Sequence, residues 1–322
     1  MNIKLFIGYE LSDKGIRKKK EKEAEAVRAM LVINPSSGKE KAMQYEEQAV
    51  ALLGKRHEQV IVKYTEKEGD ATEFAASACD GTYKTLLAMG GDGTINECIN
   101  GLAEKEQQPN FAFVPLGTVN DFARALQIPR KPEQALALLE DYHIKAVDIG
   151  KLGDRYFMNV LAVGVIAEAV YDVSPEEKSK YGHFAYLMEG AKAFRDKTPF
   201  RISVHTGEKE AYNDKAYMML VALTNSVAGF EKFADQAEVD DHLFHVFVLN
   251  ELSIPKAVKL IPDIFKGNLA SNEQVTYFQA KEISVASDTE LVVNIDGDEG
   301  EPLPFEAKVL PGEIRVVVPK EV

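Results

Sequence analysis

The sequence predicts an α/β protein, with an N-terminal doubly wound domain followed by a C-terminal antiparallel, β-sandwich-like domain. Three observations predict it. At 322 residues the chain exceeds the usual size of one compact core, which favours two domains. From residue 29, short apolar runs alternate with amphipathic stretches, the pattern of a parallel sheet covered on both faces. After about residue 145, strand-like runs follow one another with few helical stretches between, which implies antiparallel sheets.

Residues 1–28 read as a tail, because 10–28 are charged and nearly free of aromatic anchors. Lys22-Glu23-Ala24 is encodable as a ribosome-binding sequence with Val27 a short spacer beyond, so translation starting downstream of Met1 stands beside a genuine extension. In the first domain, 29–146, strand "AMLVIN" (29–34) leads to a helix over 40–54. Strand "QVIVKYT" (59–65) leads to 70–79, "KTLLAMG" (84–90) to 94–104, and "FAFVP" (111–115) to 118–126. In the second domain, 147–312, strands are expected at 155–165, 200–206, 216–225, 243–250 and 290–297, with helices only at 181–195 and 255–266. A last strand at 313–319 is expected to bring the terminal 313–322 back onto the first domain.

Composition excludes several classes. A net charge of −13 argues against a nucleic-acid binder, which needs a dense basic surface. No apolar run approaches the roughly 18 residues of a bilayer span. Residues 1–9 make no secretory signal, and Cys79 and Cys98 make no disulfide framework, so a cytoplasmic protein is expected. Basic clusters at Arg17–Lys20 and Lys178–Lys180 read either as solvated faces or as contacts to anionic lipid.

The chemistry concentrates at strand ends. "GGDGTINE" (90–97) follows a buried strand and opens a helix, so Gly90, Gly91 and Gly93 let backbone N–H groups approach an anion. Thr94 and Glu97 have the spacing of a capping box. Asp92 is the odd residue, since a carboxylate beside polyphosphate is repulsive unless a cation or a donor lies between. It reads either as part of a metal-assisted nucleotide site or as a turn stabiliser. "PLGTVND" (115–121) repeats the construction, with Gly117-Thr118 echoing Gly93-Thr94. "NPSSGKE" (34–40) lacks Walker A spacing yet offers hydroxyls, backbone donors and one cation.

"LVINPSSGK", "GGDGTINECINGL", "PLGTVNDFARAL", "VDIG" and "NIDGDEG…LP" resemble, in the same order over roughly residues 29–319, the diacylglycerol kinase catalytic-domain family, and within it the soluble bacterial lipid kinases. The resemblance implies a nucleotide-binding α/β domain, a β-sandwich, and a cleft joining ATP to a lipid hydroxyl. It implies an ATP site of Asn34, Pro35, Ser36, Ser37, Gly38, Thr65, Gly91, Asp92, Gly93, Thr94, Ile95, Asn96, Glu97 and Thr118, with Asp92 organising phosphate and Mg²⁺. It implies a structural Mg²⁺ on Asp241 and the carbonyls of Glu238 and Leu243; otherwise Asp240-Asp241 is an acidic turn. The carboxylate that takes the hydroxyl proton falls by position on Asp298, whose plain reading is a turn acid.

Three departures stand against that pattern. Asp298 replaces a Glu, His242 replaces a turn Gly, and Glu189 stands where relatives carry lysine, with Lys192 three residues on. His242 and His245 read as surface or packing histidines rather than a metal pair. The expected activity is phosphorylation of diacylglycerol to phosphatidic acid at the inner membrane face, by peripheral contact. A homodimer is left open. An NAD kinase-like or other small-alcohol kinase, and a weakened nucleotide- or lipid-binding regulator, are the alternatives.

Overall fold

The computed structural model describes residues 7–10, 18–21, 27–164, 199–250, 263 and 266–320. The helix expected over 181–195, all but two residues of the one expected over 255–266, and the expectations at Arg17, Lys178–Lys180, Glu189 and Lys192 lie outside these residues. Strands β1 (Ile7–Glu10) and β2 (Lys18–Glu21) pair antiparallel, so part of the expected tail is strand.

The first half is built on four parallel strands: β3 (Arg28–Ile33), β4 (Gln59–Tyr64), β5 (Tyr83–Gly90) and β6 (Asn110–Pro115). They lie in the order β4-β3-β5-β6. Ala29–Ile33 and Leu86–Met89 are fully buried along their length, as expected for strands covered on both faces. The stretch expected as one helix over 40–54 is three short pieces: α1 (Ser37–Glu40), a 3₁₀ turn (Ala42–Tyr45) and α2 (Glu46–Gly54). Helix α3 (Asp70–Ser77) packs on α4 (Asp92–Leu102), whose Ile95, Cys98, Ile99 and Leu102 form one buried stripe at helical spacing. Helices α5 (Asp121–Ala125) and α6 (Pro132–Ala137) complete this half.

Strand β7 (His143–Leu152) runs across residue 147, and β18 (Phe305–Val318) pairs with it along its whole length. At Val316, β18 also pairs parallel with β6 through Phe111, which brings the end of the chain back into the first sheet. The same strand pairs antiparallel with β15 (Glu282–Ser287), and β15 pairs with β10 (Phe200–Thr206), whose other edge holds β11 (Lys209–Ala216). One sheet therefore extends from the parallel half into the second.

A second sheet faces this extension. It contains β9 (Val160–Gly164), β12 (Met218–Ala222), β13 (Phe244–Leu249), β14 (Val275–Ala280), β16 (Val292–Ile295) and β17 (Asp298–Pro302). The short β8 (Arg155–Phe157) pairs back antiparallel on β7 before the chain enters β9. Met219 and Val221 of β12 point into the core between the sheets, while Met218, Leu220 and Ala222 enter a separate cluster under residues 227–237. Alternate side chains are thus buried on opposite faces, giving an antiparallel sandwich beside a parallel, doubly wound half.

Candidate active site

Strand β3 leads outward to β4, whereas β5 leads the other way to β6. The carboxyl ends of β3 and β5 therefore flank the switch in strand order, where an open α/β sheet leaves a crevice. Asn34 follows β3 and donates from Nδ2 to Thr94 Oγ1 at 3.0 Å. Its Oδ1 accepts the Ser36 N–H at 3.1 Å and the Ser36 hydroxyl at 2.7 Å. These bonds pin the 34–36 loop to the first turn of α4. Between them and the loop after β4 lies a cavity of about 340 Å³, lined by Asn34, Pro35, Ser36, Thr65, Glu66, Lys67, Glu68, Thr94 and Glu97.

Helix α4 points its N-terminus at this region. It carries no side-chain cap, so first-turn N–H groups remain for an anion. The expected capping box does not form, because the helix starts at Asp92 and Thr94 already lies inside it. Thr94 instead accepts from Asn34, and Glu97 Oε2 accepts the Gly69 and Ala71 N–H groups at 3.1 Å each, capping α3 from another helix. Asp70 Oδ2 holds the Glu66 and Lys67 amides at 2.7 and 3.0 Å, fixing the cavity's far wall. Those two N–H groups keep its carboxyl below the usual range against the opposing effect of burial.

Gly90 and Gly91 act by close approach, and Gly93 does not. A Cβ on Gly90 would lie 2.4 Å from Thr94 Cβ, whereas one on Gly93 meets nothing within 4 Å. Gly91 and Gly117 bring two backbones together. The parallel between Gly93-Thr94 and Gly117-Thr118 ends there: Thr118 is exposed in a turn, and α5 begins only after Asn120, which takes a left-handed backbone at φ 55.

Asp92 lies beneath this turn. Its Oδ2 accepts the Asn120 N–H at 2.9 Å, and its Oδ1 is enclosed with no hydrogen bond from any described residue. Burial pushes its carboxyl up, the Asn120 amide pulls it down, and the neighbouring Asp121 charge raises it again. Burial also raises Asp121, opposed chiefly by the Ser226 hydroxyl at 2.7 Å and the Gly229 amide at 2.8 Å. A carboxylate oxygen buried without a partner fits a cation; Asp92 does not itself line the cavity, whose wall sets Glu66, Glu68 and Glu97 against one Lys67. Among the described residues no cluster of three or more His, Cys, Asp or Glu side chains forms a metal cage, so amide, carbonyl and ligand oxygens would complete such a shell.

The other candidate residues are distributed as follows. Thr65 sits at the cavity, its amide bonded to Ile33 at 2.9 Å. Ser37 and Gly38 open α1 beside it, Gly38 at φ 63. Ile95 is fully buried in the core, and its amide bonds the Gly91 carbonyl. Asn96 turns away from the cavity toward Asp296.

Asp296 was quoted in the sequence motif but given no role. Its enclosed carboxylate accepts the N–H groups of Met158, Asn159 and Val160 at 2.7, 3.0 and 2.8 Å, besides Asn96 Nδ2 at 2.8 Å. Burial pushes it up to about 6 although these four donors pull the other way. Two residues on, Asp298 begins β17 and is exposed at its edge. Partial burial raises Asp298; Arg155 lowers it, and the charge of Glu68 raises it further. Glu68 lines the cavity, so a carboxylate from the second half stands within electrostatic reach of the first.

The 238–243 turn is tightly bonded. Asp241 Oδ2 accepts the Glu238 N–H at 3.1 Å and meets His245 Nε2 at 2.7 Å, while Oδ1 accepts the Leu243 N–H at 2.9 Å. His245 is fully buried and reaches Tyr277 through Nδ1 at 2.8 Å, a packing role. His242 adopts φ 65, the backbone for which a glycine is ordinarily chosen. Buried Asp148 holds it there, accepting its N–H at 2.6 Å and meeting Nδ1 at 2.9 Å, and also binds the Gly312 amide at 2.7 Å. With three of about four carboxylate acceptor positions used at Asp241, one oxygen position remains; Glu238 and Leu243 turn their N–H groups to this carboxylate, and the Glu238 carbonyl accepts the Asp241 N–H at 3.4 Å.

Sequence reasoning missed Glu66, Lys67 and Glu68, for which proximity to the second strand end was the available signal. It also missed Asn120 and Asp148, both inside quoted motifs.

Residues 28–152 match the family model described as diacylglycerol kinase catalytic domain, and residues 159–318 match the YegS C-terminal NAD kinase beta sandwich-like domain. The diacylglycerol kinase of Staphylococcus saprophyticus is 36% identical over 92% of this chain and 96% of its own length. Two crystal structures from Bacillus anthracis, one described as that of a diacylglycerol kinase, superimpose with TM-scores of 0.79 and 0.76 at 26% and 24% identity. They cover 92% of this chain and 96% and 98% of theirs. An NAD kinase from Archaeoglobus fulgidus in complex with ATP shares the fold, with a TM-score of 0.52 at 15% identity over 91% of this chain and 94% of its own.

Proposed function

The chain belongs to the diacylglycerol kinase catalytic-domain family, and from that premise we propose that it transfers the γ-phosphoryl group of ATP to the free hydroxyl of diacylglycerol. The products are phosphatidic acid and ADP. The family makes it a lipid kinase with ATP as donor; the acceptor and the residue roles below are our reading.

ATP occupies the cavity beside Asn34, Ser36, Thr65 and Lys67, with its phosphates toward the uncapped N-terminus of α4. Asp298 takes the hydroxyl proton as the lipid oxygen bonds the γ-phosphorus and the bond to the β-phosphate oxygen breaks. Asp92 would hold the Mg²⁺ that accompanies the nucleotide, and that ion when bound would neutralise charge on the transferred group. Asp241, with the carbonyls of Glu238 and Leu243, would hold a second, structural Mg²⁺. The lipid is met by peripheral contact in this reading; no described helix is long and apolar enough to cross a membrane.

The observation supporting this reading is the 2.8 Å bond from Asn96 of α4 to Asp296, two residues before Asp298, which ties the helix that opens at the cradle to the turn carrying the proposed base. The test is an ATP-dependent phosphorylation screen over lipid alcohols, with NAD as a separate acceptor, read by mass spectrometry. Phosphatidic acid is the expected product. Transfer to NAD with none to lipid rejects the assignment, and no transfer to any acceptor makes the chain a binding regulator.

A further inference from the structure

Asn120 has two explained features and one unexplained atom. Its left-handed backbone suits asparagine, and its Nδ2 donates to the Gly117 carbonyl at 2.9 Å. That bond fixes the orientation of the amide, because the reverse orientation would set oxygen against oxygen. The remaining atom, Oδ1, is therefore an acceptor. It is enclosed without a hydrogen bond from any described residue, on a residue only 5% exposed.

Asp92 Oδ1 is in the same condition, and both residues border Gly117. Asp92 Oδ2 bonds the Asn120 amide, and a Cβ built on Gly117 would stand 2.7 Å from Asn120 Oδ1 and 3.2 Å from Asp92 Oδ2. Two acceptors cannot satisfy each other, and each carries its desolvation cost while unpaired. Phosphate brings only more acceptors. A water donates to both oxygens but adds no charge to offset Asp92, Asp121 and a polyphosphate. A divalent cation satisfies both oxygens and that charge together.

We propose that Asn120 Oδ1 is the second protein oxygen of the cation seat begun by Asp92, so that the Gly117–Asn120 turn and α4 grip the nucleotide's metal from two sides. The inference rests on the ATP reading. It assigns to Asn120 a selectivity for hard divalent cations, because an amide and a carboxylate oxygen favour Mg²⁺ or Mn²⁺ over softer ions.

The experiment titrates Mn²⁺ into the full chain by electron paramagnetic resonance, with and without a non-hydrolysable ATP analogue, and measures analogue binding in EDTA separately. Asn120→Gly keeps the backbone region and removes the oxygen; a loss of about 10- to 100-fold in Mn²⁺ affinity is expected, the scale of losses at metal-site shells, with metal-free analogue binding unchanged. Asn120→Asp restores an oxygen and is expected to restore Mn²⁺ binding, which a purely structural role would not do. Wild-type Mn²⁺ affinity in Asn120→Gly, or a loss that Asn120→Asp fails to restore, overturns the proposal and leaves the kinase reading standing. A wild-type chain that binds no analogue but loses Mn²⁺ on Asn120→Gly overturns the ATP reading and leaves the cation seat.

Discussion

Asn96 Nδ2 donates to Asp296 Oδ2 at 2.8 Å across 200 positions of sequence. This bond ties the helix whose N-terminus faces the cavity to the strand end that carries Asp298. Asp296 also holds three consecutive amides at the start of β9, so one carboxylate fixes the junction of the two halves.

Asp296→Asn is therefore expected to be costly despite its identical shape. Each carboxylate oxygen accepts two N–H groups, so either orientation of the new amide points a donor at donors. The expected loss is about 1–3 kcal/mol, read by denaturant unfolding, with kcat falling more than the KM for ATP changes. Asn96→Ala removes one of four donors and should cost less, about 1 kcal/mol. Equal stability of Asp296→Asn and the native chain would refute the junction's role.

Asp298→Ala should lower kcat by about 10²- to 10⁴-fold, the usual contribution of a general base, while ATP binding persists. Because the base acts ionised and its pKa is raised above the ordinary 3.8, lipid phosphorylation should fall with decreasing pH above the normal carboxylate range. Glu68→Gln removes one cause of the rise and should move that acid limb to lower pH. A pH–rate profile of both variants decides this, and an unmoved limb in Glu68→Gln would separate Glu68 from Asp298.

Gly90→Ala and Gly93→Ala should behave oppositely. The first drives a Cβ into Thr94 and is expected to destabilise by about 1–3 kcal/mol through overpacking. The second meets open space within a helix and should stabilise by about 0.4–1 kcal/mol. Thermal unfolding of the pair measures the difference.

Glu97→Ala leaves the Gly69 and Ala71 amides without their acceptor and should cost about 0.5–2 kcal/mol, the range for a lost cap. Glu97→Gln retains an oxygen able to take both bonds and should cost less. Hydrogen exchange at Gly69 and Ala71 reports the loss directly.

Particular residues show why parts of the site were legible in sequence. Asn34, Thr94 and Thr65 were expected at one site because each lies at or near a strand end, and parallel strands bring those ends to one edge. Glu97 was legible as a capping residue, but its spacing named the wrong helix. A carboxylate three residues into a helix has a local partner available by periodicity, and only packing reveals that α3 presents free amides closer at hand.

The sequence by itself determined the alternation of buried strands and amphipathic helices, the change to strand-after-strand order, and the position of a phosphate-like cradle at strand ends. These follow from periodicity and local backbone preference, which act over a few residues. Tertiary structure alone decided that the returning strand, β18, pairs with β15, β7 and β6 at once, that Asn96 reaches Asp296 rather than the nucleotide site expected of it, and that Asn120 leaves an acceptor beside Asp92. Whether a polar atom is paired depends on groups far away in the chain, and burial is what makes that pairing matter.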